Sequence, residues 1–231
     1  GRSGTMWAIE QEGVTPDVVL SGKGIASGLP LGAMIAREDL MIWELGAHGS
    51  TYGKNDLAMA AGIATLDVLK HERIIENAAH TGDRLLAAFG KMKQQYELIK
   101  DVRGKGLMIG LEFGAPRSFK LRATWSALQA MNSELFCQII IIPLFKEHKI
   151  LSQVAGHGIQ CIKVQPSLTI TDEDCEWMVQ AFDKVIADAH RGPMCARVRA
   201  EHQSGVVGDV EPLVRVGGPR VGPLDARHQV P

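Results

Sequence analysis

A lysine set among glycines, at the end of a short apolar run, is the residue of this chain best suited to covalent chemistry. Lys23 stands in VVLSGKGIASGLPLGAMIA, after Val18 to Leu20 and between Gly22 and Gly24, with Gly28 close behind. Glycines leave room for a flat or bulky group to approach the ammonium. A lysine held at a strand end by apolar walls is desolvated, and such a lysine can act as nucleophile or base. An ordinary solvated turn also contains Lys-Gly pairs, so the neighbours decide. Ser21 and Ser27 offer hydroxyls beside the lysine, either for a bound anion or as plain turn polarity. A second polar cluster is His48-Gly49-Ser50-Thr51. A small-polar turn with exposed N–H groups and hydroxyls suits a phosphate dianion, although a simple turn has the same composition.

Nucleotide binding fits these glycines poorly. A phosphate-binding loop of the G-x-x-x-x-G-K-[ST] type would need glycine where Asp17 stands and a hydroxyl residue where Gly24 stands. The dinucleotide fingerprint fails on spacing, which here is G-x-G-x-x-x-G, and Pro30 interrupts the helix that should receive the pyrophosphate.

The segments themselves resemble a known family. GRSGTMWAIEQEGVTPDVVLSGKGIASGLPLGAMIA, HGSTYGKNDLAMAAGIATLDVL, DVRGKGLMIGLEF and PSLTITDED follow one another as in the class III pyridoxal-phosphate aminotransferases. The resemblance is to ornithine, acetylornithine, 4-aminobutyrate and omega-amino-acid transaminases and covers residues 1 to about 191. It implies a fold-type I α/β architecture, pyridoxal 5'-phosphate as cofactor, and transfer of an amino group from an amino donor to a 2-oxo acid. It also implies a homodimer with shared active sites. Carried over residue by residue, Lys23 forms the internal Schiff base with the cofactor. Thr51, with Ser50 beside it, reaches the cofactor phosphate of the neighbouring subunit. Lys163, in Ile162-Lys163-Val164-Gln165-Pro166-Ser167-Leu168, stands where the family places an arginine that clamps a substrate carboxylate. The bland alternative for Lys163 is a solvent-facing residue on an edge strand. A further departure is Lys54-Asn55-Asp56 in place of the common Gly-Asn-Pro. Aminomutases, decarboxylases and lyases share this scaffold. In the family, an acidic pair for the pyridine nitrogen and a phosphate-cradling turn precede GRSG. The chain therefore reads as a C-terminal fragment, with a catalytically inactive remnant able only to dimerise as the rival reading.

Composition agrees with a soluble globular protein. The 231 residues carry a formal net charge of -1, which gives no electrostatic case for nucleic acid or an acidic membrane surface. Cys137, Cys161, Cys175 and Cys195 show no metal-type spacing, and Cys161 and Cys175 read as reduced core residues. FCQIIIIPLF is too short to span a bilayer, and a cytoplasmic location is the default.

The elements that must position these residues follow from period and punctuation. Asp17–Leu20 and Leu31–Ala36 read as short buried strands. Asn55 caps a helix running to Leu69, and a second helix follows to about Gln95. Arg103 to Gly106 reads as a turn before the strand LMIGLEF, with Arg103 structural. Leu121–His148 reads as helical, kinked or split at Pro143. IQCIKVQ and SLTI are strand-like, and Thr171 caps a last helix whose stripe from Cys175 to Ala189 is core. Residues 1–70 thus form part of a large α/β domain and 71–191 a small α+β domain. Residues 192–231, without lysine or aromatic side chains and with half of the ten prolines, read as a disordered tail.

Overall fold

Apolar stripes at helical and strand periods decide where the core forms. The computed structural model describes residues 1–47, 49–51, 53–131 and 135–191; His48 and the tail 192–231 with Cys195 lie outside them. Strands β1 (Val18–Ser21) and β2 (Ala33–Ala36) pair antiparallel. Helices α1 (Asp56–His71) and α2 (Ile74–Gln95) follow. Strands β3 (Ile99–Lys105) and β4 (Met108–Phe113) make a hairpin. Helices α3 (Phe119–Met131) and α4 (Leu135–His148) come next, then the short β5 (Gln153–Val154), β6 (Cys161–Val164) and α5 (Asp172–Arg191). The second sheet has the order β3-β4-β6-β5 and is antiparallel throughout.

The core belongs to the second sheet and its helices. Helix α2 buries Ile74, Ala78, Thr81, Gly82, Leu85, Phe89 and Met92, one face of a 3.6-residue period. Helix α5 buries the expected stripe, with Ala181 added and Val179 only partly covered. It starts in a reciprocal cap: Asp174 N donates to Thr171 Oγ1 at 3.1 Å, and Asp174 Oδ2 accepts from the Thr171 hydroxyl at 2.9 Å. Along β4, buried Ile109, Leu111 and Phe113 alternate with more exposed neighbours and meet both helices. Aromatic edges lock the layers, with Phe89 and Phe182 centroids 5.3 Å apart and Trp125 and Phe136 at 4.6 Å. No single helix among the described residues is long and apolar enough to cross a membrane. The apolar α4 buries Phe136, Ile139, Ile140 and Leu144 in this core.

Four local expectations are corrected. Strands β1 and β2 form an exposed ribbon, with Leu20 78% accessible, because no described layer covers either face. Arg103 and Gly104 belong to β3 and not to a turn; a Cβ on Gly104 would lie 2.9 Å from Ile109 Cα, so its glycine serves the close hairpin approach. Pro143 lies inside α4, which runs on to His148, so it does not split that helix. The segment SLTI is a turn, since Ile170 N donates to Ser167 O and Asn77 Nδ2 captures the carbonyls of Leu168 and Ile170 at 2.8 and 3.0 Å.

Backbone packs directly on backbone at one junction. A Cβ on Gly82 of α2 would fall on the backbone of Gly106, in the β3–β4 turn, and one on Gly106 would lie 2.6 Å from Arg2 O. Gly106 has φ 53° and Gly4 φ 86°. Leu107 N donates to Arg2 O at 2.9 Å, and Arg2 Nη1 reaches Pro166 O at 2.7 Å. Gly82→Ala gains about 0.5–1 kcal/mol in helix propensity but overpacks a rigid contact. A net loss of about 1–3 kcal/mol is expected, read as a lower urea midpoint; an unchanged midpoint would mean that the junction yields freely.

Cys137, Cys161 and Cys175 are free and buried, as expected for Cys161 and Cys175. Burial pushes the Cys137 thiol up to about 12 and the Cys175 thiol up to about 11. An acid with a raised folded pKa ionises first in the unfolded chain, so stability falls as pH climbs above about 9 toward those values. A thiol reagent near neutral pH should leave these cysteines unmodified until denaturant is added. Labelling of Cys137 or Cys175 in the native protein would contradict this packing.

Candidate active site

Lys23 opens a short 3-10 turn, Lys23–Ala26, just after β1, with φ 52°. A left-handed conformation costs a non-glycine residue about 1–2 kcal/mol. Such strain persists only where the surroundings over-determine it, and it concentrates at functional sites. Helix α1 is what holds the turn. The turn packs against it with Ala26 buried, and Gly62 leaves room for the Leu31 side chain, whose Cδ2 would lie 2.7 Å from a Cβ there. At the far end Ser27 is also left-handed, with φ 48°. Its Oγ lies 2.8 Å from Thr65 Oγ1, which itself donates to Ala61 O at 2.8 Å.

The apolar walls expected around Lys23 are absent among the described residues. Gly22, Lys23 and Gly24 are exposed, and a Cβ on Gly24 or Gly28 would meet nothing within 4 Å. The space on the lysine side is open, which is the room a flat ring would need. Ser27 is turned to α1 instead of toward the lysine. Thr65, its partner, was not singled out from the sequence; the one available signal is a polar, β-branched residue in an alanine-rich helix.

Ser50 and Thr51 lie in the turn that leads into α1, where Gly53 N donates to Ser50 O at 3.0 Å. Thr51 is exposed. Lys54 has φ 60°, so the chain keeps a left-handed residue at the position where the related pattern has glycine. Asn55 caps α1 as expected, its Oδ1 accepting from Ala58 N at 3.1 Å. Helix α1 therefore carries the Thr51 turn at its start and the Lys23 turn along its side. No described hydrogen bond joins Lys23 to Thr51 or to Lys163.

Lys163 stands in β6, which is interior, between β4 and β5, so the edge-strand alternative does not hold. Register sets Arg103, Gly110, Lys163 and Gln153 in one row across the sheet, on the face away from the core. The two cations of that row differ. Arg103 Nη1 bonds Glu112 at 2.5 Å and Asp101 at 3.1 Å. It holds the Glu112 carboxyl below its usual range, with Lys100 assisting, whereas Asp101 is lowered first by Lys93 and then by Arg103. Arg103 is thus structural, as expected. Lys163 is half-buried, and no carboxylate pairs with it among the described residues. Gly110 leaves the space between the two cations to Cys161, whose Sγ would lie 3.1 Å from a Cβ there. No group of three or more His, Cys, Asp or Glu suited to a metal is present among the described residues.

Comparison with known proteins agrees over most of the chain. The family profile described as aminotransferase class-III matches residues 1–186. Ornithine aminotransferase 1 of Staphylococcus saprophyticus is 46% identical over 188 residues, which is 80% of this chain and 41% of that protein. The mitochondrial alanine–glyoxylate aminotransferase 2 homolog 2 of Arabidopsis thaliana is 33% identical over 183 residues, 79% of this chain and 36% of that protein. The crystal structure of ornithine δ-aminotransferase from Plasmodium falciparum superposes with TM-score 0.68 at 29% identity, covering 82% of this chain and 45% of that one. The chain spans about two fifths of the length of the curated relatives it matches, 36% to 41% for these two. The chain belongs to the class III aminotransferases, a pyridoxal-phosphate-dependent family of the fold-type I α/β group.

Proposed function

We propose that this chain carries the lysine half of a transaminase site, in which an amino group passes from an amino donor to a 2-oxo acid. The observation that carries this reading is Lys23, held left-handed in an open, glycine-flanked turn against α1. Pyridoxal phosphate, when bound, supplies an aldehyde to take the amino group and a ring that accepts electrons. Lys23 Nζ is the group that would hold the aldehyde carbon. Unprotonated, the same amine accepts the proton lost from the donor Cα and returns it as the 2-oxo acid becomes an amino acid. The open space beside Gly24 leaves room for an amine that must both hold and let go.

Thr51 and Ser50 would bind the phosphate of the partner subunit's cofactor, through hydroxyls in a turn at the start of α1. Exposed apolar side chains support a homodimer, because α1 presents Leu57 and Ile63 at 70% and 63% accessibility next to that turn. We place the enzyme in the cytoplasm. Lys163, the cation of the outer sheet row that has no carboxylate partner among the described residues, would bind a substrate carboxylate.

Incubation with pyridoxal phosphate, then borohydride and peptide mapping, should place the phosphopyridoxyl group on Lys23. A label scattered over surface lysines would sink the assignment. For Lys163, an ammonium gives one strong contact where a guanidinium gives two parallel bonds, so preference for a dicarboxylate acceptor weakens. The lost contact corresponds to roughly ten- to a hundred-fold in discrimination. Lys163→Arg, measured in the complete enzyme, should raise kcat/KM for 2-oxoglutarate relative to pyruvate. An unchanged ratio of the two efficiencies would remove Lys163 from the substrate site.

A further inference from the structure

We propose that Thr65 is a positioning residue for Lys23, acting through Ser27; this rests on the reading of Lys23 as the reactive amine. The donor and acceptor roles follow from proton count. A threonine hydroxyl has one proton, and that of Thr65 is committed to Ala61 O at 2.8 Å. In the 2.8 Å contact between Ser27 Oγ and Thr65 Oγ1, the serine therefore donates and the threonine accepts. Ser27 is tied at both ends, since its own N–H donates to Gly24 O at 3.1 Å.

This matters because the turn is strained at both ends. Lys23 and Ser27 both have positive φ, 52° and 48°. Between them, Ile25 N donates to Gly22 O at 3.2 Å, and Leu29 N to Ala26 O at 3.1 Å follows directly, so few torsions remain free. Relaxing Ser27 to an ordinary negative φ would rotate the whole turn and carry Lys23 with it. Thr65 lies well inside α1, Asp56–His71, away from its fraying ends. The hydroxyl pair thus fastens a strained, exposed turn to a rigid element. The same helix packs on the turn, with Ala26 buried, but offers this segment no other described side-chain hydrogen bond. Packing at Ala26 sets how close the turn sits, and the Ser27–Thr65 pair sets its rotation.

Two measurements on the 231-residue chain test this. Hydrogen–deuterium exchange without cofactor reads the turn itself, over peptides covering Gly22–Leu29. Thr65→Val, which keeps shape but removes the acceptor, should speed exchange there about threefold to tenfold, the range of one lost hydrogen bond. Thr65→Ser should restore protection. Ser27→Ala should reproduce the valine variant, and the double variant should be no worse than either single one, since both remove the same bond. The second readout is the rate of phosphopyridoxyl labelling at Lys23, expected to fall by a similar factor in Thr65→Val and to recover in Thr65→Ser. Unchanged exchange in a Thr65→Val protein of native circular dichroism overturns the proposal. So does faster exchange with an unchanged labelling rate at Lys23, which would reduce the bond to local packing. Label on another lysine in the unaltered protein would overturn the Lys23 reading, and the role of Thr65 in the reaction with it. The exchange result would still report whether Thr65 holds the turn.

Discussion

The opening segment of this chain is joined to the second sheet and α2 through contacts between glycine backbones. Gly4, Gly82 and Gly106 each face a neighbour that a Cβ would strike: Ala79, the Gly106 backbone and the Arg2–Gly4 backbone respectively. The opening segment, the β3–β4 turn and α2 are thereby pressed into three successive layers. Side chains would hold them several ångströms further apart, and the Leu107 N to Arg2 O bond at 2.9 Å could not form. Arg2 then crosses to Pro166 O, next to the strand that carries Lys163. The separation between the Lys23 ribbon and the Lys163 sheet is set here and at the short link from α1 to α2. Interiors are packed closely enough that such a layer moves as a unit or not at all.

The second constraint is conformational strain, and it is spread along the segment that would handle the cofactor. Lys23, Ser27 and Lys54 are all left-handed without being glycine. Each costs free energy that ordinary turn residues would save, and each lies beside α1 or its cap. The helix compensates through a side-chain cap at Asn55, a close approach at Gly62 and a hydroxyl pair at Thr65. Leu57, Ile63 and Leu66 of this helix are exposed, while the second sheet has a core of its own.

Legibility in the sequence followed from how local each cause is. The Asn55 and Thr171 caps, the α2 and α5 stripes and the β4 alternation depend on residues within a turn or two of each other, and they were readable. Strand β3 was not, because IKDVRGK shows charges where a strand shows apolar residues; those charges pair with Lys93 of α2 and with Glu112 on β4. Gly104 looked like turn punctuation, yet its cause is a close approach to Ile109. The burial of β1 and β2 was misjudged because apolar composition alone does not say which layer covers a strand. For the candidate site, Lys23 and the Thr51 turn stood out through glycine and small-polar spacing, whereas the contact of Ser27 with Thr65 spans a separation in sequence that no local pattern reveals.

The outer face of the second sheet shows how register turns similar residues into different tools. Arg103 and Lys163 share one row, and by residue type either might bind a carboxylate. Antiparallel pairing sets Asp101 two residues from Arg103 on the same strand and Glu112 opposite Asp101, diagonal to Arg103, and the guanidinium is spent on both. Gly110 then separates that network from β6, with the Cys161 thiol filling the gap instead of a charged group. Lys163 is left half-buried and without an acidic partner among the described residues. The network around Arg103 therefore does indirect work for the proposed substrate contact, because it uses up the nearby carboxylates that would otherwise neutralise Lys163.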